Sequence, residues 1–130
     1  SYPSPVDIAM GYRLAKLKDK ASDTGKTIYV PSGEIAKRWF VGSSENSPTL
    51  ELKSSRLIFE FSDGFPLPIF KSMADYRISC SLESGGNRTI LTGIGRGKGD
   101  SDHNKTVIMA VDEAFMDLSI KAMNFINANK

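Results

Sequence analysis

Chemistry in this chain would have to come from a few stretches, and the most inviting is Gly93-Ile94-Gly95-Arg96-Gly97-Lys98-Gly99-Asp100. Glycine lets backbone amides approach an anion, and a helix start downstream would add its positive end. The spacing rejects both phosphate patterns. A Walker loop would need glycine at Thr92 and a hydroxyl residue at Gly99, and a dinucleotide loop would need glycine at Asp100. The run therefore reads as a flexible or bulged connection between a strand and a helix. Next to it, Asp100, Asp102 and Asn104 alternate like the first oxygen ligands of a calcium loop. Lys105 stands where that loop turns on glycine, and Val111 where its glutamate closes the shell, so helix capping is the better use of these side chains. No metal ligand set and no cofactor site are expected.

His103 is the single histidine and Cys80 the single cysteine. A nucleophile needs a base beside it, yet Cys80 falls at an inward strand position among Tyr76, Ile78 and Leu82, where a thiol packs as a small apolar group. Asp112 and Glu113 are successive on a helix and diverge, so they make no acid–base pair. No catalytic residue is assigned, and the chain is read as not an enzyme. The remaining group is Lys37-Arg38-Trp39-Phe40, whose mixture of cations and aromatics is favoured where proteins dock. These four are the expected partner-binding residues; the competing reading places Trp39 and Phe40 in the core.

Composition bounds the partners. At 130 residues, 40% of them hydrophobic, the chain suits a single α+β domain over residues 1–130, and no apolar run reaches the ~20 residues that span a bilayer. Seventeen basic residues against fifteen acidic leave +2 with the signs interspersed, which argues against nucleic acid. One cysteine excludes an internal disulfide.

Several elements must position these groups. Ser4-Pro5 with Asp7 marks a helix start, and Val6, Met10, Leu14, Leu17 and Ala21 continue a helical stripe toward a stop at Gly25. Thr27 to Val30 reads as a strand ended by Pro31-Ser32-Gly33. Glu34 to Val41 fits either a helical face or an extended segment. From Thr49, Leu50 and Leu52 alternate, then Leu57, Phe59 and Phe61, with a bulge or turn at Ser54-Ser55. Asp63-Gly64 is turn chemistry, and Pro66 and Pro68 exclude a central strand. Tyr76, Ile78, Cys80 and Leu82 face one way and Arg77, Ser79, Ser81 and Glu83 the other, which is a half-buried antiparallel strand. Gly85-Gly86-Asn87 turns the chain into a second strand with Ile90, Thr92 and Ile94 on one face. From Asn104, Val107, Val111, Ala114, Leu118 and Ala122 form a core-facing helix, capped by Asp102 or Asn104, with Asp117 and Lys121 paired on it. The fold class is α+β, a mainly antiparallel sheet covered by an N-terminal and a long C-terminal helix.

That hairpin, its glycine-rich exit, and a closing helix with Ala110, Ala114 and Ala122 resemble the small α+β lipoproteins of the bacterial envelope, over less than half the chain. The resemblance implies an exported, non-catalytic protein of the periplasm or cell envelope, engaged in assembly or binding through a protein partner. It implies a lipid tether as well; with no cysteine near Ser1, such a tether would belong to a removed N-terminal segment. A carrier of a small apolar ligand, built from Phe59, Phe61, Phe65, Leu67, Ile69 and Phe70, is the alternative. An enzyme using Lys98, Asp100 and His103 ranks behind it.

Overall fold

The computed structural model describes residues 5–23, 26–42, 45–62, 71–99 and 102–130. Strands β1 (Ala9–Met10), β2 (Asp19–Asp23), β3 (Lys26–Val30), β4 (Thr49–Ser62), β5 (Lys71–Ser84) and β6 (Asn87–Gly99) alternate with helices α1 (Tyr12–Ala15), α2 (Ser32–Ala36) and α3 (His103–Ala128). The main sheet runs β1, β4, β5, β6; β1 joins β4 in parallel, the other neighbours pair antiparallel, and β2 and β3 form a separate hairpin. This is an α+β fold with α3 packed along β5 and β6.

Alternation builds the central strand as expected: Ala74, Tyr76, Ile78, Cys80 and Leu82 are all buried under α3. Gly85 and Gly86 turn it into β6 with φ of 59° and 79°, a conformation in which a Cβ is strained. In β4 the inward side chains change parity, from Leu50 and Leu52 to Leu57, Phe59 and Phe61. The register shift between Leu52 and Ser54 is the cause. One extra residue turns every later side chain to the other face, so the two leucine and phenylalanine sets point the same way. Helix α3 begins where Asp102 accepts the Lys105 N–H at 3.1 Å and runs 26 residues.

Two expectations fail. The N-terminal helix shrinks to the four-residue α1. Val6 and Ile8 are buried while Asp7 is exposed, a strand period, and Val6 exchanges backbone hydrogen bonds with Trp39 (2.7 Å) and Val41 (2.8 Å). Ala9 and Met10 then pair with the edge of β4, and Ala21 belongs to the β2 hairpin. Unpaired sheet edges and a hairpin partner outcompete a helix whose stripe alone could not nucleate it. Ile90, Thr92 and Ile94 share one face of the hairpin strand as expected, and it is the solvent face, with Ile90 and Ile94 at 65% and 37% exposure. The second failure is the glycine run, which is no flexible connection: Gly93, Gly95 and Gly97 are buried in regular β6, opposite Ile78, Tyr76 and Ala74.

Those glycines set the distance between layers. A Cβ on Gly95 would lie 1.9 Å from the Ala110 carbonyl oxygen, on Gly93 2.3 Å from that of Ala114, and on Gly97 2.0 Å from that of Thr106. The backbone of α3 therefore rests directly on the backbone of β6. At the exposed margin of β6, Asp117 accepts the Ile94 N–H at 3.0 Å and Lys121 donates to the Thr92 carbonyl at 2.6 Å, so the helix also closes part of the sheet edge. The Asp117–Lys121 pair expected from spacing is present at 3.0 Å.

Candidate functional site

The four residues expected to bind a partner separate by direction. Helix α2 carries the chain to a turn in which Trp39 and Phe40 point inward, 6% and 2% exposed. The Trp39 indole donates to Asp112 Oδ1 at 3.0 Å, and Phe40 meets the Phe115 ring edge-on at 6.5 Å. Both aromatics fasten α2 to α3, as the competing core reading has it. Lys37 and Arg38 stay at the surface, beside Glu34 at 3.1 Å and Asp112 at 3.7 Å.

The catalytic alternatives come apart in the same way. Cys80 is fully buried, and desolvation pushes its thiol from 9.0 up to about 12, so it stays protonated and unreactive at neutral pH. His103 opens α3 with its ring between Phe59 and Phe61, at 5.0 and 4.5 Å between centroids. Those phenylalanines pair with Ala74 and Ser72; the strand from there to Cys80 is roughly 20 Å long at about 3.3 Å per residue. Lys98 projects from the opposite face of the sheet to His103, and Asp100 lies outside the described residues, as do Phe65, Leu67, Ile69 and Phe70 of the carrier reading. Among the described residues no group of three or more His, Cys, Asp or Glu side chains could hold a metal ion.

One buried polar cluster has no counterpart in the sequence reading. The Asp19 carboxylate accepts Ser32 Oγ at 3.3 Å and Ser55 Oγ at 3.0 Å, tying β2 and α2 to β4. The Tyr76 hydroxyl, completely buried, faces Asp19 and Ser32 without a well-formed hydrogen bond to either. Burial first, and Asp19 second, raise its pKa far above the usual phenol value.

Opposite α3 the sheet is different. No described element lies over β4, β5 and β6 on that side, and register assembles there a set of side chains distant in sequence. Arg56 stands opposite Arg77, Ile58 opposite Asp75, and Asp75 in turn opposite Arg96. Together with Met73 they line a concavity of about 550 Å³ in the sheet surface. Asp75 is shared: Arg77 Nε donates to Oδ1 and Arg96 Nε to Oδ2, each at 3.3 Å. Arg56 has no carboxylate partner among the described residues. Met73 is 48% exposed and Ile58 39%, so apolar surface lies open beside the guanidinium groups. The outward set Arg77, Ser79, Ser81 and Glu83 is readable from alternation, but Arg56 and Arg96 join it only through pairing.

No protein-family model matches the chain, and no curated protein sequence is similar to it.

Proposed function

We propose that this chain is a non-enzymatic binding module that meets a protein partner across the uncovered face of β4, β5 and β6. The observation that supports the reading is the concavity over Asp75, where Ile58 and Met73 are exposed on paired strands, Ile58 beside Arg56 and Met73 between Glu60 and Lys98. Exposed apolar surface flanked by arginine is the make-up of a docking patch. Rigid strands also hold it in one shape, which lowers the ordering cost of binding. Lys37 and Arg38 lie on another part of the surface and are assigned no contact.

The envelope setting comes from the resemblance of the C-terminal half to small envelope lipoproteins. No described helix is long and apolar enough to cross a membrane. Fractionation of the native cells, with mass spectrometry of the mature N-terminus, tests that setting: recovery in the cytoplasm removes it.

A photo-crosslinking residue placed at Met73, and separately at Lys37, tests the face. Crosslinking of a defined partner from position 73 and none from position 37 is the expected result; the reverse pattern moves the interface to α2.

A further inference from the structure

We infer that the arginine cluster on the uncovered face is a carboxylate receptor, and that its occupant is an acidic segment of a protein partner whose carboxylates alternate with apolar side chains. The inference rests on the binding-module reading and specifies its chemistry.

The first ground is unspent hydrogen-bonding capacity. A guanidinium carries five N–H donors in a fork shaped to a carboxylate. Arg77 and Arg96 engage Asp75 through Nε alone, so among the described residues their terminal nitrogens stay available. Arg56 has no ion pair there at all. The second ground is register. Arg56 and Arg77 are directly opposed on neighbouring strands, an arrangement of like charges that weakens a sheet. Asp75 stands between Arg77 and Arg96, leaving the pair of Arg56 and Arg77 short of negative charge. An incoming carboxylate between these two supplies the missing counter-charge.

The third ground selects a peptide over other anions. Ile58 and Met73 border the arginines, which gives apolar side chains a seat that a free phosphate or a nucleic-acid backbone would leave empty. Glu60 and Lys98 line the same concavity on either side of Met73, so its charge is mixed, which suits a segment with spaced carboxylates better than a uniform polyanion. The overall charge of only +2 likewise does not favour a polyanion.

The test uses the full chain and a fluorescein-labelled peptide in which glutamate alternates with leucine and serine, followed by anisotropy and by amide chemical shifts. Saturable binding with shifts at Arg56, Ile58, Asp75, Arg77 and Arg96 is expected. The Arg56→Gln/Arg77→Gln variant should bind about tenfold more weakly, with Arg56→Lys between, because it keeps charge and loses the fork. A matching peptide with glutamine for glutamate should not bind. Thermal unfolding of each variant verifies that it is folded. The inference is overturned if the glutamine peptide binds equally, if the double variant binds as the parent does, or if the named amides do not shift. Full competition by inorganic phosphate at constant ionic strength, or arginine-dependent sedimentation with phosphatidylglycerol vesicles, overturns it in favour of a free anion or a lipid surface. If Met73 still crosslinks a partner when the peptide fails, the binding module survives and only its acidic specificity is lost.

Discussion

The two faces of the main sheet are built on opposite rules. Under α3, β6 offers glycine at 93, 95 and 97, and contact is made by backbone against backbone with no room for a methyl group. On the other side the same strands carry Arg56, Arg77 and Arg96, long side chains whose ends are left partly unpaired. One face is specified by what is missing from it, the other by what protrudes. The contrast separates stability from recognition. Changes to the covered face should unfold the protein, and changes to the open face should leave it folded and alter what it binds.

The largest expected effect lies under the helix. Gly95→Val forces a branched side chain against the Ala110 carbonyl oxygen and should lower stability by more than about 3 kcal/mol in chemical denaturation. Ile94→Ala, one residue away on the other face, should lower it by less than about 1 kcal/mol. Equal losses at the two positions would erase the distinction between faces. Next, Trp39→Ala should lose roughly 3 kcal/mol by leaving a cavity between α2 and α3 and removing the indole donor from Asp112, which keeps Arg38 as its ion-pair partner. A variant as stable as the parent would return Trp39 to the surface role expected from its neighbours.

Alkali should act on the covered face as well. The unfolded chain releases the Cys80 proton near 9.0, whereas the folded chain holds it until about 12. The unfolded state then binds fewer protons, so stability is intact below pH 9.0, falls as the pH rises from there, and stops falling near about pH 12 as far as this thiol is concerned. Cys80→Ala should flatten part of that slope in urea titrations at successive pH values; an unchanged slope assigns the effect elsewhere, with Tyr76 the next candidate. The smallest effect belongs to the open face. Arg56→Gln removes one of two opposed cations and should change stability by less than about 0.5 kcal/mol, toward greater stability at low salt. Clear destabilisation would make the arginine cluster structural.

Much of the covered face was legible along the chain. The alternation of Tyr76, Ile78, Cys80 and Leu82, the turn at Gly85-Gly86, and the helical period after Asp102 each follow from local rules. Even the parity change from Leu52 to Leu57 marks the β4 bulge. The N-terminal segment was not legible, because Val6, Ile8 and Met10 satisfy strand and helix spacings together, and pairing with the segment around Phe40 and with the free edge of β4 decides between them. Glycine at alternate positions of β6 reads as a loop until the helix that lies on it is known. Trp39 and Phe40 sit among charges, where composition alone cannot tell docking residue from core. The arginine cluster was out of reach for another reason: its members sit about twenty residues apart, on three strands, and pairing register alone collects them.

A strand that contributes so few side chains has little of its own to hold it in place. Glycine has low strand propensity, and the order of β6 is supplied by α3 above it and β5 beside it. Strand and helix should therefore gain and lose protection together, their amides exchanging with solvent in one cooperative opening rather than fraying separately. Lifting the helix would at the same time release the Ile94 N–H from Asp117 and the Thr92 carbonyl from Lys121, exposing bare backbone along a glycine-rich margin. The rare opened form of this protein, more than its folded surface, should then be the species open to intermolecular β-pairing.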